Sequence, residues 1–183
     1  MIPAGYLLKR IAPPPDYLSG ANADDVCSVS GCVNDDIVDL YGQWKQNEFG
    51  VASTPDILWS LAASDGCDTS DANLFYYEAY EQELDSDGVS FDPKNWRPLI
   101  PSNNSSIPLL VPPKAKLVGY DVVVFGDTLE HSPLSCQSIA AEVTTNQHCL
   151  FKSFEEAKAA IEDGVFVDCK PGIYRIFSVH IVS

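Results

Sequence analysis

The chain of 183 residues contains no diagnostic catalytic motif. It has neither a G-x-G-x-x-G pattern nor a P-loop, so nucleotide binding has no support. No apolar run approaches the roughly 20 residues that cross a bilayer. The first apolar run ends by Leu8 and is followed, not preceded, by Lys9 and Arg10, which is unlike a secretion signal. These absences predict a cytoplasmic protein that does not enter a membrane and whose thiols stay reduced.

Basic residues are scarce, above all in the first half of the chain. The whole chain carries 11 Lys and Arg against 26 Asp and Glu, for a formal net charge of −15. Between residues 11 and 93 Lys45 is the only base beside seventeen acidic residues, whereas residues 94–183 are nearly neutral. A strongly acidic surface speeds encounter with a basic protein and repels nucleic acid and anionic membranes. The uneven charge predicts a basic protein partner, and a solvated acidic face without a partner is the alternative.

The segment over residues 74–84, LFYYEAYEQEL, combines four aromatic residues with three glutamates and has no glycine, proline or base. Such aromatic density favours a β-strand. Alternation would make both faces of this strand apolar at its start and polar at its end. We therefore expect a strand that begins between two packed layers and ends at an acidic rim. The partner-facing residues expected at this rim and in the acidic loop before it are Tyr80, Glu78, Glu81, Glu83, Asp85, Asp87, Asp65, Asp68 and Asp71.

The order of the predicted elements indicates an α+β fold, with a largely antiparallel mixed sheet and about four short helices in a single domain over residues 1–183. The alternation of strands and helices is too irregular for a doubly wound parallel fold. Six prolines between residues 90 and 113 predict a surface loop, with an interdomain linker as the alternative. Predicted strands cover residues 5–12, 26–33, 74–84, 120–125 and 173–182, and predicted helices cover residues 34–47, 55–65, 134–143 and 153–163.

The six cysteines include no C-x-x-C pair and no spacing typical of a disulfide framework. We therefore expect reduced, metal-free thiols and no cofactor. A zinc site assembled from His131, Cys136, His148 and Cys149 is an alternative, since thiolate and imidazole suit that ion. In a strand, however, the neighbours His148 and Cys149 would point to opposite faces.

An enzyme with a nucleophilic side chain would need a base beside its nucleophile. The best pair in this chain is Cys136, which lies close to the start of a predicted helix where its pKa would be lowered, with His148 as its base. Nothing in the spacing of the two residues selects them over chance. We therefore do not predict an enzyme.

Three segments of the later half, SPLSCQSIAAEV, NQHCLFKSFEEAKAAIEDG and PGIYRIFSV, resemble segments of small bacterial proteins of unknown function. The resemblance covers about residues 118–182. It implies no activity and no site residues.

An acidic domain without catalytic machinery is typical of a binding protein. The sharpest hypothesis is a bacterial immunity or antitoxin protein that occupies the active site of a basic toxin, with tyrosine as an anchor and carboxylates as steering charges. The first alternative is a phage-type DNA mimic that inhibits a nucleic-acid-binding protein, which would need regularly spaced carboxylates along an exposed ridge. The second alternative is a small enzyme that uses Cys136 and His148.

Overall fold

The computed structural model describes residues 1–86, 94–100, 109–125 and 130–183, and within these ranges seven strands form one sheet. Every strand pair is antiparallel, which confirms the predicted α+β class with a largely antiparallel sheet. The described residues contain three α-helices rather than about four. The strands are β1 (Ile2–Lys9), β2 (Asn73–Ala79), β3 (Gln82–Ser86), β4 (Trp96–Pro98), β5 (Ala115–Phe125), β6 (Glu130–His131) and β7 (Gly172–Val182). The helices are α1 (Pro55–Asp65), α2 (Pro133–Cys136) and α3 (Phe154–Glu162), with short 3-10 turns over Asp16–Leu18 and Ile139–Ala141.

The central strand of the sheet is β7. Along one side it pairs with β5 over nearly the whole length of both strands. On its other side β2 pairs with the C-terminal half of β7 and β3 with the N-terminal half. The strands β1, β4 and β6 lie outside β2, β3 and β5, respectively. Residues from the acidic and the neutral half of the chain therefore share one sheet.

Apolar side chains cover both faces of the sheet, because neighbouring residues of β5 and β7 alternate between them. On one face Val123 and Phe177 belong to a core cluster that includes Leu58 of α1. On the other face Val122 and Ile176 belong to a second cluster, which includes the buried side of α3. The helices thus cover the sheet from opposite sides.

The strand predicted over residues 74–84 is divided into β2 and β3. Tyr80 and Glu81 form the break, although the Tyr80 amide still donates to the Ile176 carbonyl of β7 (2.8 Å). Burial does not decline along the segment, since Leu84 is as fully buried as Phe75. The prediction of an acidic rim at the end of this strand is therefore wrong. The strand ends inside the sheet because β3 lies between β7 and β4.

Residues 26–47 form neither the predicted strand nor the predicted helix and run as bends and turns. The fully buried Lys9 of β1 organises this segment. Its ammonium group donates to the carbonyls of Val29 (3.1 Å) and Ser30 (2.9 Å) and pairs with Asp36 (2.9 Å). Because these long-range contacts fix the backbone in a non-helical path, they override the helical spacing of the apolar residues.

Two predicted helices are confirmed together with their end signals. The helix α1 begins at Pro55 and ends before Gly66, whose φ of 66° is the left-handed conformation that suits glycine. At the start of α3 the Ser153 hydroxyl accepts a hydrogen bond from the Glu156 amide (3.2 Å), as a capping box predicts. The helix predicted over residues 134–143 is instead the single turn α2 followed by a 3-10 turn.

The remaining predicted strands lie close to their expected positions, as β1, β5 and β7. The strand β5 begins earlier than predicted, because its exposed first residues pair with the end of β7. Of the loop predicted over residues 90–113, the structure describes residues 94–100 and 109–113, and β4 lies within the first of these ranges. No helix in the described ranges is both long enough and apolar enough to cross a membrane.

Candidate functional site

Glu83, which we expected on a partner-facing rim, is a buried carboxylate with an exposed fraction of 7%. Its Oε1 accepts a hydrogen bond from Arg97 Nε (3.0 Å) and its Oε2 accepts one from Arg175 Nε (2.9 Å). Two guanidinium partners compensate the loss of hydration of this carboxylate. Glu83 therefore joins β3 to β4 and β7, and the prediction that it faces a partner is wrong.

Two further acidic residues of the predicted rim have cationic partners within the chain. Asp85 pairs with Arg97 Nη1 (2.6 Å). The exposed Glu81 pairs with the terminal amino group of Met1 (3.1 Å). These pairs reduce the negative charge that the segment presents to solvent. Asp87 lies outside the described residues.

The expected anchor Tyr80 and its neighbour Glu78 are half-buried rather than presented to solvent. The Tyr80 ring packs against Phe154 (ring centroids 4.6 Å apart) and against Trp96 (5.8 Å). Glu78 accepts a hydrogen bond from the Tyr76 hydroxyl (3.3 Å), and burial together with this carboxylate raises the pKa of Tyr76. Both residues therefore stabilise the sheet and are poorly placed to anchor a partner.

Asp65, Asp68 and Asp71 precede β2, at the other end of the segment. Arg10 joins two of them, since its Nε donates to Asp71 Oδ1 (2.8 Å) and its Nη2 to the Asp68 carbonyl (2.6 Å). Phe75 pairs with Ile181 and Asp85 with Ile173, so the two ends of the segment lie eight residues apart along β7, on the order of 26 Å at about 3.3 Å per residue. The predicted acidic residues therefore do not form one contiguous face.

A pocket of about 490 Å³ opens on a part of the acidic half that contains none of the predicted partner-facing residues. Apolar side chains of Leu7, Val38 and Leu40 line it together with the carboxylates of Asp36 and Asp39. A pocket of this size can hold a small ligand or a side chain of a partner. Its combination of apolar walls and carboxylates suits a group that is both cationic and partly apolar.

The two carboxylates of the pocket differ in their partners. Asp36 Oδ1 pairs with the ammonium group of the buried Lys9 (2.9 Å), which compensates its charge. Asp39 Oδ1 accepts a hydrogen bond from the Gly42 amide (2.7 Å), and no cation among the described residues pairs with it. Asp39 therefore contributes an uncompensated negative charge to the pocket.

Residues 40–45, here called the aromatic turn, form one turn that ends in a Schellman motif. The Lys45 amide donates to the Leu40 carbonyl (3.0 Å) and the Trp44 amide to the Tyr41 carbonyl (3.1 Å). Trp44 occupies the left-handed position of this motif with a φ of 53°, where glycine is strongly preferred. This conformation costs a residue with a Cβ atom about 1 kcal/mol.

Trp44 is 84% exposed, and its ring stacks on that of Tyr41, with centroids 6.2 Å apart and planes inclined by 26°. Tyr41 in turn lines the pocket. The side chain of Gln43 donates to Asp65 at the end of α1 (2.7 Å) and so fixes the turn. Neither packing nor backbone preference explains a tryptophan at this position. Exposed aromatic rings beside a carboxylate are typical of surfaces that bind a cationic side chain.

Cys32, His131 and Cys136, here called the thiol cluster, lie together, and the first two also line the pocket. Cys32 Sγ is 3.3 Å from His131 Nδ1. The sulfur atoms of Cys32 and Cys136 and a ring nitrogen of His131 all lie within 4.8 Å of one another. Lys170 Nζ is 3.0 Å from His131 Nε2. Because an ammonium group can only donate, Nε2 accepts and the ring proton resides on Nδ1, facing Cys32. This spacing would suit a metal ion, but in this tautomer Nδ1 stabilises a thiolate and has no lone pair for a metal.

The two thiols of the cluster have opposite acid–base properties. A hydrogen bond from Cys136 lowers the pKa of Cys32 to about 6, with smaller contributions from Lys170 and Lys9 and with burial acting in the opposite direction. The same hydrogen bond, together with burial, raises the pKa of Cys136. Cys32 is therefore a thiolate near neutral pH, while Cys136 remains a thiol. An exposed cysteine with a lowered pKa is a reactive one.

A buried carboxylate holds the two loops of the thiol cluster in place. Asp121 of β5 accepts hydrogen bonds from the Ser28 hydroxyl (3.1 Å), the Val29 amide (2.9 Å) and the Ser132 hydroxyl (2.6 Å). Burial raises its pKa to about 6. The loop that contains Ser28 and Val29 leads to Cys32. Ser132 lies in the segment that connects His131 to Cys136. The site is thus built on the central part of the sheet.

The structure does not bring together the residues of the predicted Cys136–His148 pair. His148 Nδ1 lies 2.8 Å from Asp25 Oδ1, and Cys27 Sγ lies 3.5 Å from the same oxygen. Burial raises the pKa of Cys27, and the nearby Asp25 raises it further. The group formed by Asp25, Cys27 and His148 therefore contains no activated thiol. Cys149 is buried, and burial raises its pKa to about 12. The four-residue zinc set expected as an alternative is likewise not assembled.

Comparisons of the chain with models of protein families, with curated proteins and with solved structures found no match. Cys32, Asp39 and Trp44 are not among the site residues predicted from the sequence, since the last two fall within the helix predicted over residues 34–47. Gly42, a poor helix former inside that range, was an available signal. The contact between Cys32 and His131 spans 99 residues and has no local signal.

Proposed function

We propose that this chain is an acidic binding protein that captures a basic segment of a protein partner at the pocket beside the aromatic turn. The sharpest form of the proposal is a bacterial immunity or antitoxin protein that acts in the cytoplasm and occupies the active site of a basic toxin. The observation that carries it is Trp44, exposed in an unfavourable backbone conformation and stacked on a residue that lines an acidic pocket.

A lysine or arginine side chain of the partner suits this pocket chemically. The Asp39 carboxylate would pair with its cationic group, and the apolar walls would accommodate its aliphatic stem. The stacked rings of Tyr41 and Trp44 would cover the cation and shield it from water. A central aromatic anchor beside a charged pair is the usual composition of an energetically dominant contact. The net charge of −15 would increase the rate of encounter with such a partner.

The pairing of the rim residues favours this proposal over a DNA mimic. Glu83 is buried between two arginines, and Asp85 shares one of them. A regular ridge of exposed carboxylates, which imitation of phosphates requires, is therefore interrupted along β3. The proposal accordingly moves the partner-facing surface from this strand to the aromatic turn.

Binding of a fluorescently labelled hexa-arginine peptide tests the charge and the ring separately. Asp39→Asn keeps the acceptor for the Gly42 amide but removes the pocket charge, and we expect binding to weaken by about tenfold. The matched control Asp168→Asn removes one exposed charge elsewhere and should change the affinity by less than about twofold. Trp44→Gly relieves the left-handed conformation and should weaken binding by about tenfold through the loss of the cation–π contact.

Two results would overturn the proposal in folded variants, as judged by circular dichroism. Equal effects of Asp39→Asn and Asp168→Asn would mean that the peptide responds only to net charge. An unchanged affinity in Trp44→Gly would remove the aromatic turn from the site. The toxin-inhibitor form makes a further demand, since a gene for a basic toxin should lie beside the gene for this chain.

A further inference from the structure

We propose that Cys32 and Cys136 form a redox-active dithiol that reduces small-molecule disulfides, with Cys32 as the attacking residue and Cys136 as the resolving residue. This site opens on the same pocket as the proposed binding site, but it depends on different residues, so either proposal can fail without the other. It uses the thiol cluster, whereas partner binding is assigned to the aromatic turn and to Asp39.

The geometry gives the two sulfurs different roles. Cys32 is exposed and lines the pocket, so a substrate can reach its sulfur. Cys136 is half-buried at the end of α2, and its Sγ lies 3.2 Å from the Ser30 hydroxyl. The two sulfurs are already within 4.8 Å, so side-chain rotation with a small shift of the Cys32 loop would bring them to bonding distance. An exposed thiol backed by a covered one is the arrangement that thiol–disulfide exchange requires.

The surroundings of Cys32 activate it without a metal ion. His131 directs an N–H group at its sulfur, because Lys170 donates to the other ring nitrogen. The neighbouring Cys136 side chain and the ammonium groups of Lys170 and Lys9 also favour negative charge on this sulfur. These groups together stabilise the thiolate, which is the nucleophilic form.

The reaction proceeds in two displacements. In the first, the Cys32 thiolate attacks one sulfur of the substrate disulfide; a bond to Cys32 forms, the substrate S–S bond breaks, and one thiolate leaves and takes up a proton from solvent. In the second, Cys136 gives up its proton and attacks the Cys32 sulfur. The Cys32–Cys136 bond forms, the mixed disulfide breaks, and the second thiolate leaves and is protonated. The protein loses two electrons, and the substrate disulfide becomes two thiols.

Peptide mapping after exposure to 2-hydroxyethyl disulfide tests the proposal on the reduced protein, in one sample treated with a chelator and in one left untreated. The wild-type chain should form a Cys32–Cys136 bond and release both halves of the reagent as thiols. Cys136→Ser should stop at a mixed disulfide on Cys32, and Cys32→Ser should leave Cys136 unmodified. Cys67→Ser, a half-buried cysteine outside the cluster, is the matched control and should behave as the wild-type chain does.

Three outcomes would overturn the proposal. The first is reaction at Cys67 or Cys169 as fast as at Cys32. The second is a wild-type chain that forms a mixed disulfide on Cys32 but no bond to Cys136. The third is a Cys32 that becomes reactive only after a stoichiometric metal has been removed, which would identify a metal site instead. The wild-type mapping alone separates these outcomes, so the proposal remains testable even if a serine variant fails to fold.

Discussion

Alkylation of Cys32 by iodoacetamide should level off near neutral pH, where the alkylation rate of an ordinary thiol still rises with pH. With a pKa of about 6, roughly a quarter of Cys32 is thiolate at pH 5.5, against about one thousandth of an unperturbed cysteine with a pKa near 8.5. Nucleophilicity falls with pKa with a slope near 0.45, which slows the Cys32 thiolate about 13-fold. The product of the two factors makes Cys32 about 20-fold faster at pH 5.5. At pH 8.5, where half of the ordinary thiol is ionised, Cys32 should be about sixfold slower.

The assay measures the labelling rate of Cys32 by mass spectrometry, with a short cysteine peptide in the same tube as the reference. Cys136→Ala removes the hydrogen bond that lowers the pKa of Cys32 most, and it should slow labelling at pH 5.5 by about threefold or more. Cys136→Ser keeps a donor at that position and should slow it less. Comparison of Cys136→Ala with Cys136→Ser therefore separates the effect of losing the hydrogen-bond donor from the effect of losing the sulfur atom.

A Cys32 rate that rises about tenfold per pH unit through neutrality, in parallel with the peptide, would refute the reasoning. So would a rate at pH 5.5 that is equal in the wild-type chain and in Cys136→Ala. Titratable and charged groups from several elements surround the Cys32 sulfur and can influence the pH dependence of its labelling. They are His131, Cys136, Lys170, Lys9, Tyr17 and Asp36.

Two further predictions concern stability, measured by urea denaturation. Glu83→Gln leaves Arg175 and Arg97 beside an uncharged side chain and should lower the free energy of unfolding by about 3 kcal/mol. The exposed control Glu81→Gln should change it by less than about 0.5 kcal/mol, and equal effects would contradict the buried role of Glu83. Burial raises the pKa of Asp121 to about 6, so the native state binds this proton more tightly and the contribution of Asp121 to stability should fall as pH rises from 4 to 6. Asp121→Asn should remove this contribution, a fall of about 2 kcal/mol between pH 4 and pH 6, and a wild-type-minus-variant difference that is constant between pH 4 and pH 7 would contradict the assignment.

The elements that the sequence predicted well are those specified by local signals. Pro55 and Gly66 mark the ends of α1, and Ser153 marks the start of α3, because caps act within a few residues. The apolar runs of β5 and β7 likewise indicate strands without reference to any partner. The break between β2 and β3 has no such signal, since it depends on how the half-buried ring of Tyr80 packs against other elements.

The failures over residues 26–47 and at the predicted rim have a common physical cause. A buried Lys9 fixes the first segment by binding backbone carbonyls about twenty residues away. Glu83 becomes a core residue through Arg175, which lies 92 residues further along the chain. Long-range ion pairs of this kind override both helical spacing and surface polarity, and neither periodicity nor composition reveals them.

The charge pattern shows why a dense run of acids was a poor guide to the site. Where acidic residues are most frequent, in and before the β2–β3 segment, Arg10, Arg97 and Arg175 compensate several of them. The potential at a surface depends on the charge that remains after such pairing, because opposite charges at contact distance largely cancel at longer range. By that criterion Asp39, which no cation among the described residues pairs with, matters more than several paired carboxylates. Asp39 and Tyr41 both line the pocket, and the Tyr41 ring stacks on that of Trp44. The unpaired carboxylate of Asp39 and the exposed ring of Trp44 therefore lie at the same part of the surface.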